Sequence, residues 1–171
     1  MRLLRGLAAL VCGLILVGCT TGAPRNTAGQ VTATASINPF QITLGDCTGP
    51  MKEGDIESLQ VVPCGDKHNY EAYAVTKLSG TTFPGEAEVT KQADKFCTAE
   101  FRTFIGLAPK DSKYDMFYLY PVESSWAAGD REVLCLAGST KGGVTGTLKG
   151  VAKYPTKRRG PATVMVAGPR R

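Results

Sequence analysis

Few side chains in this sequence are suited to chemistry. His68 and Glu71 form an H-x-x-E pair, which could serve as a general base with an orienting carboxylate or as half of a metal site. His68 is the only histidine in the chain, so no second imidazole completes either arrangement. The simpler reading is a loop histidine bonded to backbone beside a disulfide. Trp126, with Tyr118 or Tyr120, could form a glycan platform, because aromatic rings with polar tips suit partly wet sites; core packing is the competing use of the same rings. Asp130 and Arg131 follow Trp126 closely enough to pair with each other or to cap nearby backbone. There is no G-x-S-x-G nucleophile motif. The glycine-rich stretch Gly138 to Gly143 lacks the G-K-[ST] ending of a phosphate loop and reads as a turn. Acidic residues are plentiful, but nothing singles out two as a catalytic pair. The sequence therefore predicts no metal, no cofactor and no enzyme.

The cysteines are more informative. Of six, Cys12 falls in an N-terminal apolar run and Cys19 at its end. Met1 to Arg5 carry two arginines and no acid, and Gly6 to Val17 is unbroken apolar sequence. This is the charged start and short hydrophobic stretch of an export signal, shorter than the roughly 20 apolar residues of a membrane-spanning helix. Leu16-Val17-Gly18-Cys19 resembles a bacterial lipobox, in which the signal is cut before the cysteine and its thiol takes up lipid. The alternative is an ordinary signal peptide with an incidental cysteine. Two or more acyl chains would hold the mature protein stably, by Cys19, on the outer face of the cell membrane. Cys12 leaves with the signal over residues 1–18.

Cys47, Cys64, Cys97 and Cys135 remain, an even set in an exported chain, which reads as two disulfides. Paired C-x-x-C spacing, the mark of thiolate metal sites or redox motifs, is absent. Three pairings are formally possible. Cys47–Cys64 and Cys97–Cys135 are favoured, because the first two flank a short strand and the second two lie on a helix face and on a strand face that should pack together. Loops of these sizes would contribute roughly 3 and 4 kcal/mol through chain entropy.

The positioning elements follow from periodicity. Val89, Ala93, Phe96, Cys97, Phe101, Phe104 and Ile105 recur at helical spacing, predicting a helix over 85–105 that ends at Gly106 with Pro109 beyond. Strands are predicted over 58–62, 69–77, 115–120 and 131–137, with a glycine-rich loop leading into a further strand over 144–148. Both sides of 115–120 are bulky, as in a central strand. Trp126 is placed on a short helical turn stopped by Gly129. The fold class is α+β: an antiparallel β-sheet with one long amphipathic helix packed on a face, stapled by two disulfides.

Around this domain, 38–150, lie two appendages. Residues 19–37 are rich in Thr, Ala and Gly and are expected to be a lipidated flexible tether. Residues 38–148 hold ten basic and fifteen acidic side chains, a net of −5. Lys149, Lys153, Lys157, Arg158, Arg159, Arg170 and Arg171 follow with no acid among them, so the overall charge of +5 belongs to the tail. The segment 151–171 is expected to be a disordered basic tail, or one that contacts anionic lipid heads or wall polymers. Export argues against nucleic acid as its partner.

In order along the chain, Leu44-Gly45-Asp46-Cys47, Val61-Val62-Pro63-Cys64 with His68 and Glu71, Phe83-Pro84-Gly85-Glu86, Cys97, Tyr118-Leu119-Tyr120-Pro121, Ser125-Trp126-Ala127-Ala128-Gly129-Asp130-Arg131 and Val133-Leu134-Cys135 resemble the septum formation family of actinobacterial membrane proteins and lipoproteins. The resemblance covers about residues 44–148, with Lys67 standing in place of a proline. It implies a cell-envelope domain linked to division, without defining a reaction or ligand. The resulting expectation is a non-enzymatic, lipid-anchored envelope protein binding a protein or wall component. His68, Glu71, Tyr118, Tyr120, Trp126, Asp130 and Arg131 are the candidate binding residues. The alternatives are an envelope glycan hydrolase using carboxylates and a carrier of a small apolar ligand.

Overall fold

The structure, a computed structural model, describes residues 22–52, 54, 56–153 and 164–169. The expected export signal and Cys19, together with Lys157, Arg158, Arg159, Arg170 and Arg171, lie outside the described residues.

Among the described residues seven strands form one sheet: β1 (Ala35–Ile37), β2 (Cys47–Thr48), β3 (Leu59–Val62), β4 (Tyr70–Lys77), β5 (Asp115–Tyr120), β6 (Glu132–Gly138) and β7 (Val164–Pro169). Their order is β1-β3-β2-β4-β6-β5-β7. All pairings are antiparallel except β5 with β7, which run parallel. Among the described residues two α-helices accompany the sheet, α1 (Glu86–Ile105) and the short α2 (Glu123–Ala127).

The sheet is buried on both faces, which explains the bulky residues on both sides of β5 and β6. Val89, Ala93, Cys97, Phe101 and Ile105 of α1 pack on Met116, Tyr118, Tyr120, Val133, Cys135 and Ala137. Phe117, Leu119, Leu134 and Leu136 point the other way, into a second cluster that Val31, Ile37, Ile42, Ile56, Leu59 and Val61 close. The β1–β3 end of the sheet thus curls over the face that α1 leaves bare. In β4, Tyr70 and Ala72 join the second cluster, but a bulge between Ala72 and Ala74 turns Ala74 to the helix side. Simple alternation would have kept Ala74 with Tyr70 and Ala72.

Both expected disulfides are present, Cys47–Cys64 with Cα atoms 5.2 Å apart and Cys97–Cys135 with 5.5 Å. The first ties β2 to the turn after β3, and the second ties α1 to β6. α1 ends at Gly106, whose φ of 92° is the left-handed conformation glycine adopts most cheaply.

Three expectations are corrected. Order begins well before Pro39: Arg25 bridges to Val31, Val31 and Ile37 are buried, and β1 lies within the stretch expected to be a flexible tether. Its scattered Val and Ile reach the second cluster, and Arg25 finds Asp46. The segment 144–148 is not a strand. Val144 makes one isolated bridge to His68, and the buried Glu71 carboxylate then captures Thr147 Oγ1 at 2.8 Å and Leu148 N–H at 2.6 Å, bending the chain away. The stretch expected to be a disordered tail contains a 3-10 turn at Val151–Lys153 and strand β7. Val164-Met165-Val166 is an apolar, β-prone run distinct from the basic cluster before it.

Candidate binding groove

The sheet has two ends. At one, β4 and β5 finish and β6 begins, and α2 fills the β5–β6 connection. Here Trp126 is 3% exposed and seated edge-on to Phe83, with ring centroids 5.7 Å apart. Its indole N–H donates to the Thr81 carbonyl at 3.0 Å. Arg131 stacks on the indole face, 3.8 Å from guanidinium carbon to centroid. The same guanidinium donates to the carbonyls of Trp126 and Asp130, both at 2.7 Å, and to Gly80 at 3.0 Å. Arg131 therefore staples the β4–α1 connection to the α2 loop. Its delocalised plane and fork of donors perform both tasks, which a lysine could not.

Asp130 and Ser125 brace the loop. The Ser125 hydroxyl accepts from Val122 N–H at 3.0 Å and approaches Asp130 Oδ2 at 3.2 Å, while Asp130 Oδ1 accepts from Glu132 N–H at 2.9 Å. Gly129 closes the turn with φ 96°. The outer side of this loop, Ser124, Ser125, Ala128 and Asp130, lines a cavity of about 520 Å³ together with Phe40. Phe40 sits on a 3-10 turn at Pro39–Gln41, capped by the Asn38 side chain, and is 48% exposed. The groove offers an aromatic wall, hydroxyls and one carboxylate, a mixture suited to binding with a few orienting polar groups.

The remaining expected site residues do not converge. Tyr118 and Tyr120 are buried under α1, and the Tyr120 hydroxyl donates to Glu86 at 3.0 Å. Burial pushes the Tyr118 phenol up to about 12, with the charge of Asp94 adding to it. These rings are core, so with Trp126 they do not form an open glycan platform. His68 and Glu71 stand at the far end of the sheet. His68 lies just before β4 in an isolated bridge to Val144, whereas Glu71 is within β4. Glu71 pins the 147–148 turn. His68 Nδ1 lies 2.9 Å from the Asp66 carbonyl, which can only accept, so Nδ1 is the protonated nitrogen. Among the described residues, His68 Nε2, Thr48 Oγ1 and Tyr70 OH are buried polar atoms without a hydrogen-bond partner. Among the described residues no group of three or more His, Cys, Asp or Glu is arranged to hold a metal.

Sequence reasoning missed Phe40 as a site residue, and missed Arg25 and Asp46. The Arg25 fork meets both oxygens of Asp46, at 2.6 and 2.7 Å, beside a smaller cavity of about 200 Å³ next to the Cys47–Cys64 disulfide. The available signal for Phe40 was a large aromatic directly after Asn-Pro.

Comparison with known proteins agrees with the motif series. The pattern of a family described as "Septum formation" matches residues 4–135. An uncharacterized membrane protein of Mycobacterium tuberculosis, found in strains CDC 1551 / Oshkosh and ATCC 25618 / H37Rv, is 27% identical over 150 residues, which cover 72% of this chain and 33% of the relative. The matched part is thus about a third of the length of these curated relatives. No solved structure matches. No helix among the described residues is long and apolar enough to cross a membrane.

Proposed function

The chain belongs to the septum formation family, and from that premise we propose that it is a division-related envelope protein. In this reading it is non-enzymatic, held on the outer face of the cell membrane by a lipid on Cys19, and binds a protein or wall component in the groove beside α2. The observation that carries the reading is the placement of the family motif. Ser125 to Arg131 builds a braced loop whose outer side forms one wall of a groove of about 520 Å³. Trp126 and Arg131 are spent on holding that wall in place. The ligand side is left to Ser124, Ala128 and Phe40. A surface tether raises the effective concentration of partners on the same membrane.

The test is to fill the groove without touching its braces. Ala128 is exposed, so Ala128→Trp should leave the fold intact and abolish crosslinking of the protein to its envelope partner in growing cells. Unchanged crosslinking with an occupied groove would overturn the assignment of the site. A second reading, a carrier of a small apolar ligand, is favoured by the aromatic wall; a retained mass on the intact protein in native mass spectrometry would select it.

A further inference from the structure

The groove beside α2 brings an aromatic face and a carboxylate to one cavity. Phe40, 48% exposed, supplies the ring, and the exposed Ala128 continues the apolar wall. The half-buried Asp130 supplies the carboxylate, and Ser124 and Ser125 supply hydroxyls. No lysine or arginine stands among the described lining residues. Two bonds fix the direction of the carboxylate: Oδ1 accepts from Glu132 N–H at 2.9 Å, and Oδ2 lies 3.2 Å from the Ser125 hydroxyl.

The neighbouring cation is turned elsewhere. Arg131 follows Asp130 directly, yet its guanidinium lies on the Trp126 indole and donates to the carbonyls of Gly80, Trp126 and Asp130. It is in no ion pair among the described residues. Neither is Glu123, which is exposed in the first turn of α2 and next to Ser124 in sequence. The domain around the groove has the same sign, with ten basic against fifteen acidic side chains over 38–148.

These features select an occupant by its chemistry. A cation is drawn both to the negative face of a ring and to a carboxylate. An anion would meet the wrong sign at both. The apolar part of the wall suits a hydrocarbon stem behind the charge, which is how lysine and arginine side chains are built. A cavity of about 520 Å³ lies in the range of sites for drug-sized ligands, the bulk of a short peptide segment rather than of a lone amine. A neutral glycan would call for more open rings, and Trp126 and Tyr120 at this end are buried.

We infer that the groove docks a lysine- or arginine-bearing segment of a partner protein, with its cationic head at Asp130 and Phe40 and its stem against Ala128. The inference rests on the groove being the binding site proposed above and adds the chemistry of its occupant. The net negative charge of the domain would also speed the approach of such a partner.

The test titrates the full-length, isotopically labelled protein in mild detergent with end-blocked pentapeptides. These differ only at the centre, which is lysine, arginine, acetyl-lysine or glutamate. The lysine and arginine peptides should shift the amide resonances of Phe40, Ser124 and Ala128, and bind roughly tenfold or more tightly than the other two. Their binding should weaken as salt rises. Asp130→Asn, which keeps the shape of the side chain, should weaken the lysine peptide by roughly tenfold. Phe40→Leu, which keeps an apolar wall, should weaken it about two- to fivefold and affect the acetyl-lysine peptide less. Both variants should show the parent's thermal unfolding. Should Asp130→Asn fail to fold, the acetyl-lysine comparison on the unaltered protein and Phe40→Leu still decide. Equal binding of the acetyl-lysine peptide, tighter binding of the glutamate peptide, or no binding of either cationic peptide at millimolar concentration would overturn the inference. Loss of crosslinking in Ala128→Trp cells would then still support the groove itself. Failure of the groove reading looks different: shifted amides would lie elsewhere and Ala128→Trp would leave peptide binding unchanged, which overturns both.

Discussion

Arg25 and Asp46, twenty-one residues apart, meet in a two-pronged ion pair with N–O distances of 2.6 and 2.7 Å. The Asp46 carboxylate is 3% exposed and also accepts from Thr43 N–H and Oγ1. The pair fastens the N-terminal segment to the strand that carries Cys47, close to where the chain leaves for Cys19. Removing the arginine leaves a buried carboxylate without its cation, so Arg25→Ala should cost about 2–4 kcal/mol. Denaturant unfolding measures this, and Arg25→Ala/Asp46→Ala should lose less than the sum of the single changes.

Gly138 is the second fixed point. A Cβ there would sit 1.9 Å from the Asn69 carbonyl oxygen and 2.7 Å from the Tyr70 Cα. Backbone cannot yield as a side chain can, so Gly138→Ala should cost roughly 3 kcal/mol or more, or prevent folding. A Gly65→Ala control, with open space around it, should change the unfolding midpoint little.

Trp126 and Arg131 should behave as one unit. Trp126→Ala is expected to cost about 3–5 kcal/mol, and Arg131→Lys, which keeps the charge but loses the fork and the stack, about 1–3 kcal/mol. Urea unfolding should show the two effects to be non-additive. Additivity would mean the contact between them carries little energy.

The two disulfides should differ in weight. Opening the 38-residue Cys97–Cys135 loop should cost about 4 kcal/mol and the 17-residue Cys47–Cys64 loop about 3 kcal/mol. Paired Cys→Ala variants compared by thermal unfolding would show whether the α1–β6 link outweighs the local one.

Alkaline stability carries a sign that follows from burial. The phenols of Tyr70 and Tyr118 are both pushed up to about 12, chiefly by desolvation, with Asp115 and Asp94 respectively adding to it. A raised folded value means the neutral form favours the folded state. That contribution is intact below the unfolded value near 10 and lost as pH rises through 12. Stability should fall over this window, and the phenols of Tyr70 and Tyr118 should ionise near 10 only in unfolded protein.

Particular residues explain what could be read in advance. β5 and β6 are legible because Met116, Tyr118 and Tyr120 alternate with Phe117 and Leu119, and Val133, Cys135 and Ala137 with Leu134 and Leu136. α1 is legible from Val89 to Ile105 for the same reason at helical spacing, and the two faces together give the Cys97–Cys135 bond. β1 and β2 are three and two residues long, and only pairing with β3, and for β2 also with β4, makes them strands. The turn at Thr147–Leu148 depends on Glu71, and the Arg25–Asp46 pair and the Phe40 groove join segments far apart in sequence, so no local pattern announces them. The tail was dominated by its charge, which hid the short strand signal of Val164-Met165-Val166.

The central claim is that a lipidated Cys19 holds this domain at the division site. It is tested most directly by imaging a functional C-terminal fusion of the full-length protein in dividing native cells, beside its Cys19→Ala counterpart. The account predicts septal enrichment that is lost, with membrane retention, in Cys19→Ala. A uniform envelope signal, or septal signal and membrane retention unaltered by Cys19→Ala, would contradict it.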